Sequence, residues 1–185
     1  MGLFDNLNQP RAHAPATSQS ENRTVDVQFP KLPDTLEEFK ALPQAQLSSP
    51  FDTAALTVLA LCFYSENAAL SIEMLNFLKG PQPLSAYDES FIRDRFASAD
   101  YVARSYFTGA APQNNYTPSQ PYAIKVSENP YSYQEQGYAK LYLQSGGADS
   151  PRPVQLRLAK DGKWYLWEQH LLAGIRQPES ANPWA

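Results

Sequence analysis

The side chains that most often do chemistry are scarce in this sequence of 185 residues, which has one cysteine and two histidines. Cys62 and His170 could form a nucleophile–base pair, in which the imidazole takes the proton of the thiol. However, Cys62 lies inside an apolar stretch, where the pKa of a thiol is raised and the thiol is inert. We therefore interpret Cys62 as a core residue and His170 as a surface histidine, and we predict no catalytic residue.

Metal, phosphate and acid–base sites are not predicted either. A metal site needs several histidine, cysteine or carboxylate ligands at close spacing, and one of the two histidines, His13, lies in the polar N-terminal region. Gly146-Gly147 lacks the lysine and the following helix of a phosphate-binding loop, so we interpret it as a linker. Asp88, Glu89 and Asp94 cluster beside arginines at a predicted helix start, as on a solvated, ion-paired face. We predict no metal and no cofactor.

Aromatic and amide side chains supply the best candidate surface. Nine of the eleven tyrosines lie between Tyr101 and Tyr165. Aromatic residues favour strands in any case, and this simpler explanation covers many of them. Tyrosines in predicted loops beside amides differ, because aromatic faces with amide neighbours hold peptides, other proteins or sugars. The candidate binding residues are Asn114, Asn115, Tyr116, Asn129, Tyr131, Tyr133, Trp164 and Trp167.

Four predicted strands must position most of these residues. Apolar and polar residues alternate with a period of two in the segments 122–126, 138–143, 154–158 and 164–168. Asp161-Gly162 between the last two predicts a type I′ hairpin turn, and we expect an antiparallel meander. Trp164 and Leu166 share one face of the last strand, while Tyr165 and Trp167 share the other. One face should meet helices, and the other should be covered by a loop, a partner or a ligand.

Capping residues predict helices before these strands. We predict a short helix capped by Asp34, a buried helix opened by Ser49-Pro50, a helix from about Asn67 to Lys79, and a helix capped by Ser85. Alternation predicts further strands at 25–29 and 101–107.

The predicted fold class is therefore α+β. Three N-terminal helices pack on a mainly antiparallel sheet of four to five strands, for which a cone-like curvature is possible. The predicted organisation is a flexible arm at residues 1–32, one domain at 33–176 and a tail at 177–185. A chain of this length is ample for one domain and short for two.

Composition restricts the partners and the compartment. The net charge is −4 and no long basic run occurs, which argues against nucleic acid and anionic membranes. No apolar run reaches the roughly 18–20 residues that span a bilayer. The N-terminus lacks the basic and apolar regions of a signal peptide. Together with the single cysteine, these features predict a cytoplasmic protein.

Several short segments resemble one known family. They are 51–54, 74–84, 114–118, 127–133, 137–140, 167–168 and 182–184. From Ser49 to Ala185 the sequence resembles a family of small proteins of unknown function from Gram-positive anaerobic bacteria, and this resemblance implies no activity, cofactor or catalytic residue. The order of the predicted elements also resembles the nuclear-transport-factor-2-like cone, a likeness of topology without a residue motif.

The sequence therefore favours a non-catalytic interaction module. Its loops rich in tyrosine and asparagine would contact a protein partner or a second copy of the chain. The alternative is a pocket for a small molecule, or an enzyme, inside a cone-shaped sheet, lined by Tyr122, Trp164 and His170. A third hypothesis, carbohydrate binding, fits the loops but not the missing export signal.

Overall fold

A five-stranded antiparallel sheet with helices on one face forms the protein, in a computed structural model that describes residues 22–184. The strands are β1 (Thr24–Phe29), β2 (Tyr122–Ser127), β3 (Tyr138–Leu143), β4 (Arg152–Leu158) and β5 (Trp164–Gln169). Their order in the sheet follows the chain, so β1 and β5 are the two edges and the sheet is not closed. The predicted α+β class and antiparallel meander are confirmed.

The first strand lies within the stretch predicted to be a flexible arm. It pairs with β2 from Thr24, opposite Ser127, to Phe29, opposite Tyr122. Val27 and Phe29 are buried because alternate side chains of a strand point to the same face. The sheet therefore begins before the predicted domain start at residue 33. Residues 1–21, with the remainder of the predicted arm, lie outside the described residues.

Four α-helices follow the first strand: α1 (Leu36–Ala41), α2 (Pro50–Cys62), α3 (Ala68–Lys79) and α4 (Ala86–Phe96). Short 3-10 helices occur at Pro43–Gln46, Ala103–Tyr106, Pro112–Asn114 and Glu179–Ala181. The predicted caps Ser49 and Ser85 accept backbone N–H groups as expected, whereas α1 is capped by Thr35 rather than by Asp34. Within residues 22–184, none of the helices combines the length and the apolar character that crossing a bilayer requires.

The second helix fills the inner face of the sheet. Ten of its 13 residues are buried, and it contacts all five strands. Its buried hydroxyl groups are satisfied, since Thr53 donates to the carbonyl oxygen of Trp164 at 2.7 Å and Thr57 to that of Thr53 at 2.9 Å. The inner face of the sheet is therefore packed against α2, and the sheet does not close into a barrel or cone.

The predicted strand at 101–107 is wrong. Residues 103–106 form a 3-10 helix, and only Phe107 bridges to Ile124 of β2. Successive residues here are buried, whereas a half-buried strand would bury alternate ones. The hydroxyl of Tyr106 donates to the carbonyl oxygen of Leu171 at 2.6 Å, which fixes this turn against the C-terminal segment.

The predicted hairpin exists between β4 and β5, but its turn is not type I′. Only Gly162 has a positive φ, +81°, whereas a type I′ turn needs two such residues. Gly162 donates to the carbonyl oxygen of Ala159, and Ala159 donates to that of Lys163. The connection is thus a three-residue loop. Asp161 accepts the backbone N–H of Lys163 at 3.0 Å, which suits a turn but does not require the left-handed conformation at Asp161.

Candidate functional site

No residue from 22 to 184 covers the face of the sheet that points away from the helices. In β3, Ala139, Leu141 and Leu143 are buried against the helices, whereas the intervening Tyr138, Lys140 and Tyr142 are exposed or half-buried. The other strands alternate in the same way, and no outward-facing strand residue in the described part of the chain is buried. The cover expected over this second face is therefore not supplied by residues 22–184.

A β-bulge in β5 positions Trp167 on this face. Leu166 lies opposite Leu156 and Glu168 lies opposite Gln155, so Trp167 is the extra residue between two pairs. A bulge increases the local twist of a strand and redirects the side chain that it carries. The sequence did not indicate this bulge, because a single extra residue is not visible in a short alternating pattern.

Trp167 forms one cluster with Tyr138 of β3 and Arg157 of β4. The tryptophan and tyrosine rings meet edge to face with centroids 5.8 Å apart. The guanidinium carbon of Arg157 lies 4.7 Å from the Trp167 centroid and 5.4 Å from the Tyr138 centroid. Each such cation–π contact is worth about 0.5–1 kcal/mol at an exposed site. We call these three residues the aromatic–arginine cluster.

Within residues 22–184, Arg157 has no anionic partner. Its side chain makes no hydrogen bond or ion pair with any residue from 22 to 184, although two rings hold it in place. A guanidinium carries five N–H donors in a planar fork that matches a carboxylate. The structure therefore presents an immobilised arginine whose donors are available to a ligand.

A groove of about 330 Å³ borders the aromatic–arginine cluster at the edge of the sheet. Three cations line it, Lys79, Arg157 and Lys160, and its apolar surface includes Leu158 and Trp167. No carboxylate from the described residues lines it, although the net charge of the whole chain is −4. We call it the basic groove, and its local charge is opposite to that of the protein.

The wall of the basic groove depends on the glycine that ends α3. Gly80 has a φ of +60°, and a Cβ atom built on it would lie 2.3 Å from the ring of Tyr165. Glycine therefore lets the tyrosine ring lie directly against the end of the helix. The Tyr165 hydroxyl donates to the carboxylate of Asp161 at 2.8 Å, which holds the ring beside the groove.

The predicted site residues in the loop at 108–120 form hydrogen bonds with other parts of the same molecule. Tyr116 is completely buried, its ring stacks on Tyr101 with centroids 5.3 Å apart, and its hydroxyl donates to the carbonyl oxygen of Arg176. The Asn114 side chain accepts the N–H of Ala111 at 3.0 Å, and that of Asn115 bonds to Ser180. The loop is thus held in place by its own side chains. These intramolecular hydrogen bonds would compete with bonds to a ligand.

The predicted site residues in the loop after β2 are more accessible. Tyr131 is 67% exposed and Tyr133 is 41% exposed. Asn129 accepts the N–H of Tyr131 at 2.9 Å, as in a turn. The hydroxyl of Tyr133 donates to Glu128 at 2.9 Å, and burial together with this carboxylate raises the pKa of Tyr133. These tyrosines are available to a partner.

Trp164 lies apart from Trp167, although both belong to β5. It is half-buried and packs against the core. Its main-chain N–H donates to the carbonyl oxygen of Leu47 at 2.8 Å, and its main-chain carbonyl oxygen accepts the hydroxyl of Thr53. The structure therefore does not gather the eight predicted residues at one surface. It adds Tyr138, Arg157, Lys79 and Lys160, of which Tyr138 and Arg157 could have been paired from the register of the predicted strands.

Cys62 and His170 lie in different clefts. Burial raises the pKa of the Cys62 thiol to about 12, Arg104 opposes this effect and Glu66 adds to it. His170 is exposed and its Nε2 lies 3.8 Å from the carboxylate of Glu168, in a cleft of about 340 Å³ between the helices and β5. Tyr122 lines the Cys62 cleft, so the pocket predicted from Tyr122, Trp164 and His170 together is not formed.

Comparison with known proteins gives a family but no activity. The family model described as "Domain of unknown function (DUF6935)" matches residues 31–179, from the segment after β1 to the last 3-10 helix. No curated protein and no solved structure matches the chain. Because the matched region covers well over half of the sequence, the chain belongs to the family described as Domain of unknown function (DUF6935).

Proposed function

We propose that this protein is a non-catalytic interaction module that binds an acidic segment of a partner protein in the basic groove. Arg157 carries the proposal, because two aromatic rings hold it and no residue from 22 to 184 neutralises it. We further propose that the module acts in the cytoplasm, in keeping with its single cysteine.

Preorganisation favours Arg157 as an anchor. A flexible arginine loses side-chain entropy when it binds, and rings that hold it beforehand reduce this loss. Arginine can then make two parallel hydrogen bonds to one carboxylate. Lys160 and Lys79 extend the positive charge along the groove, so a segment with two or three acidic residues matches it better than a single carboxylate.

An apolar anchor on the partner completes the match. Leu158 is 41% exposed and lines the groove together with Trp167, and interfaces place such apolar surface at their centre with charges at the rim. The recognised segment should therefore carry leucine or an aromatic residue between its acidic residues.

Side chains, rather than strand addition, should carry this recognition. An added strand would need unpaired N–H and C=O groups along the free edge of β5. The carbonyl oxygens of Trp164 and Trp167 already accept Thr53 and Lys79, and the N–H of Trp164 is bonded to Leu47. The backbone groups along this edge of β5 are thus largely hydrogen-bonded within the molecule.

Fluorescence anisotropy with two labelled peptides tests the proposal. The probes are a hexapeptide of alternating glutamate and leucine and its counterpart of alternating lysine and leucine. The wild type should bind the acidic peptide at least about tenfold more tightly, since like charges across an interface are strongly unfavourable. The double substitution R157E and K160E should reverse this preference.

Two arginines of α4 that do not line the basic groove provide the control. Arg93 and Arg95 lie on the exposed face of α4, and the double substitution R93E and R95E makes the same change in net charge. It should leave the peptide preference unchanged. Equal effects of the two double substitutions, or no preference in the wild type, would contradict the proposal.

A further inference from the structure

We infer that a second site, the cleft between the end of α2 and the 3-10 helix Ala103–Tyr106, binds a small apolar monocarboxylate through Arg104. The cleft has a volume of about 210 Å³ and lies away from the basic groove, sharing none of its lining residues. The inference is therefore independent of the proposed protein interaction.

The walls of this cleft are mostly apolar. Leu59 and Phe63 line it from α2, Phe107 and Tyr122 from the sheet side, and Leu32 from the segment after β1. The rings of Phe107 and Tyr122 meet edge to face with centroids 5.9 Å apart. An apolar recess with a few polar groups is the usual form of a small-molecule site.

Arg104 is the cationic side chain that lines this recess. It is half-buried, and its side chain makes no hydrogen bond or ion pair within residues 22–184. Arg104 lines the cleft together with Cys62, where burial raises the pKa of the thiol and the charge of Arg104 opposes this larger effect. Glu66 lines the same cleft but forms no ion pair with Arg104, so a carboxylate bound at the guanidinium would give this half-buried charge a directly hydrogen-bonded partner.

The size and charge of the cleft restrict the ligand. Its volume is below the roughly 300–1,000 Å³ of sites for drug-sized molecules, so an acid with one aromatic ring or a short branched chain fits best. Glu66 also lines the cleft and would repel a second negative charge. The chemical class is thus a monocarboxylate with an apolar body, for which phenylacetate is a suitable probe.

Titration of the full chain with phenylacetate and with phenylacetamide, followed by heteronuclear NMR, tests this site. The acid should shift the amide signals of Cys62, Phe63 and Phe107. It should bind at least about tenfold more tightly than the neutral amide, because hydrogen bonds between charged groups are the strong ones. E66Q should strengthen binding of the acid a few-fold, since it removes a repelling charge.

Substitution of Arg104 separates its role from general packing. R104Q should bind acid and amide equally, whereas R104K, which keeps the charge but loses the planar fork, should retain part of the preference. The control R93Q removes an arginine from the exposed face of α4 and should bind like the wild type. Shifts that lie away from the cleft, equal binding of acid and amide by the wild type, or no binding up to about 10 mM would overturn the inference.

Discussion

The ammonium nitrogen of Lys79 lies 3.0 Å from the main-chain carbonyl oxygen of Trp167, and this hydrogen bond joins the end of α3 to the bulged edge strand β5. The same lysine lines both the basic groove and the cleft beside His170. It therefore stabilises β5, which carries Trp167 of the aromatic–arginine cluster, and occupies a carbonyl that a foreign strand would otherwise use.

Removal of this ammonium should destabilise the protein. K79M leaves the carbonyl of Trp167 without its donor, and we expect a loss of about 1 kcal/mol in the free energy of unfolding, measured with urea. Lys163, whose side chain makes no hydrogen bond or ion pair within residues 22–184, provides the control. K163M should change stability by less than about 0.5 kcal/mol, and an equal effect of both substitutions would contradict the assigned role.

Tyr138 should act on binding through Arg157 rather than by touching the partner's charge. Y138A removes one of two rings that hold the guanidinium, so affinity for the glutamate–leucine peptide should fall about threefold, in line with the loss of one cation–π contact. Tyr142 lies on the same face of β3 but forms no ring or cation contact within residues 22–184. Y142A should therefore bind the peptide like the wild type, and a comparable loss there would argue against positioning by Tyr138.

The glycine pair at 146–147 should be intolerant of any side chain. A Cβ atom on Gly146 would lie 1.9 Å from the carbonyl oxygen of Ala110, and one on Gly147 would lie 2.0 Å from the hydroxyl oxygen of Tyr116. Because the first contact is with main chain, G146A should destabilise the protein by about 2–3 kcal/mol. G137A, where φ is +80° and no atom lies near, should lose only about 1 kcal/mol. Similar losses in thermal or urea unfolding would show that the close approach is unimportant.

The hydrogen bonds that Ser85 donates to the carboxylate of Asp88, at the start of α4, should stabilise the folded protein only above acidic pH. Burial would raise the pKa of Asp88, but hydrogen bonds from the N–H and hydroxyl of Ser85 outweigh it and lower that pKa. A lowered folded-state pKa gives stability above the unfolded value of about 4 that is lost as the pH falls through the folded value.

Substitution of Ser85 tests this capping interaction. S85A should reduce stability by about 1 kcal/mol at neutral pH and should weaken the loss of stability on acidification below about pH 4. D94N changes an exposed carboxylate later in the same helix and should leave the urea midpoint nearly unchanged at every pH. An S85A protein with the pH dependence of the wild type would contradict the assignment.

Most helices and strands could be predicted from the sequence, because helix caps and strand alternation depend on residues that are close together in the chain. Ser85 and Asp88 are three residues apart and form a reciprocal cap at the helix start predicted from Ser85. The period of two in β3 and β4 places Ala139 and Leu156 inward, opposite each other. These features depend on neighbours along the chain, which a sequence displays directly.

The site required contacts that a sequence does not display. Tyr116 was predicted as a binding residue, but its hydroxyl reaches the main chain of Arg176, 60 positions away. Trp167 meets Tyr138 and Arg157 because a one-residue bulge offsets two strands. Aromatic and amide composition selected candidate residues, whereas long-range pairing decided which of them remain exposed.

Site-specific photo-crosslinking in the groove is the most direct measurement of the proposed interaction. A photoreactive phenylalanine analogue replaces Leu158 in the full chain inside the source cells, and a second chain carries it at Tyr87, which is 77% exposed on α4. We predict that Leu158, but not Tyr87, captures a partner at a segment rich in aspartate and glutamate, and that R157E with K160E abolishes this product. The same products at both positions, or a product that joins two copies of this chain, would contradict the account.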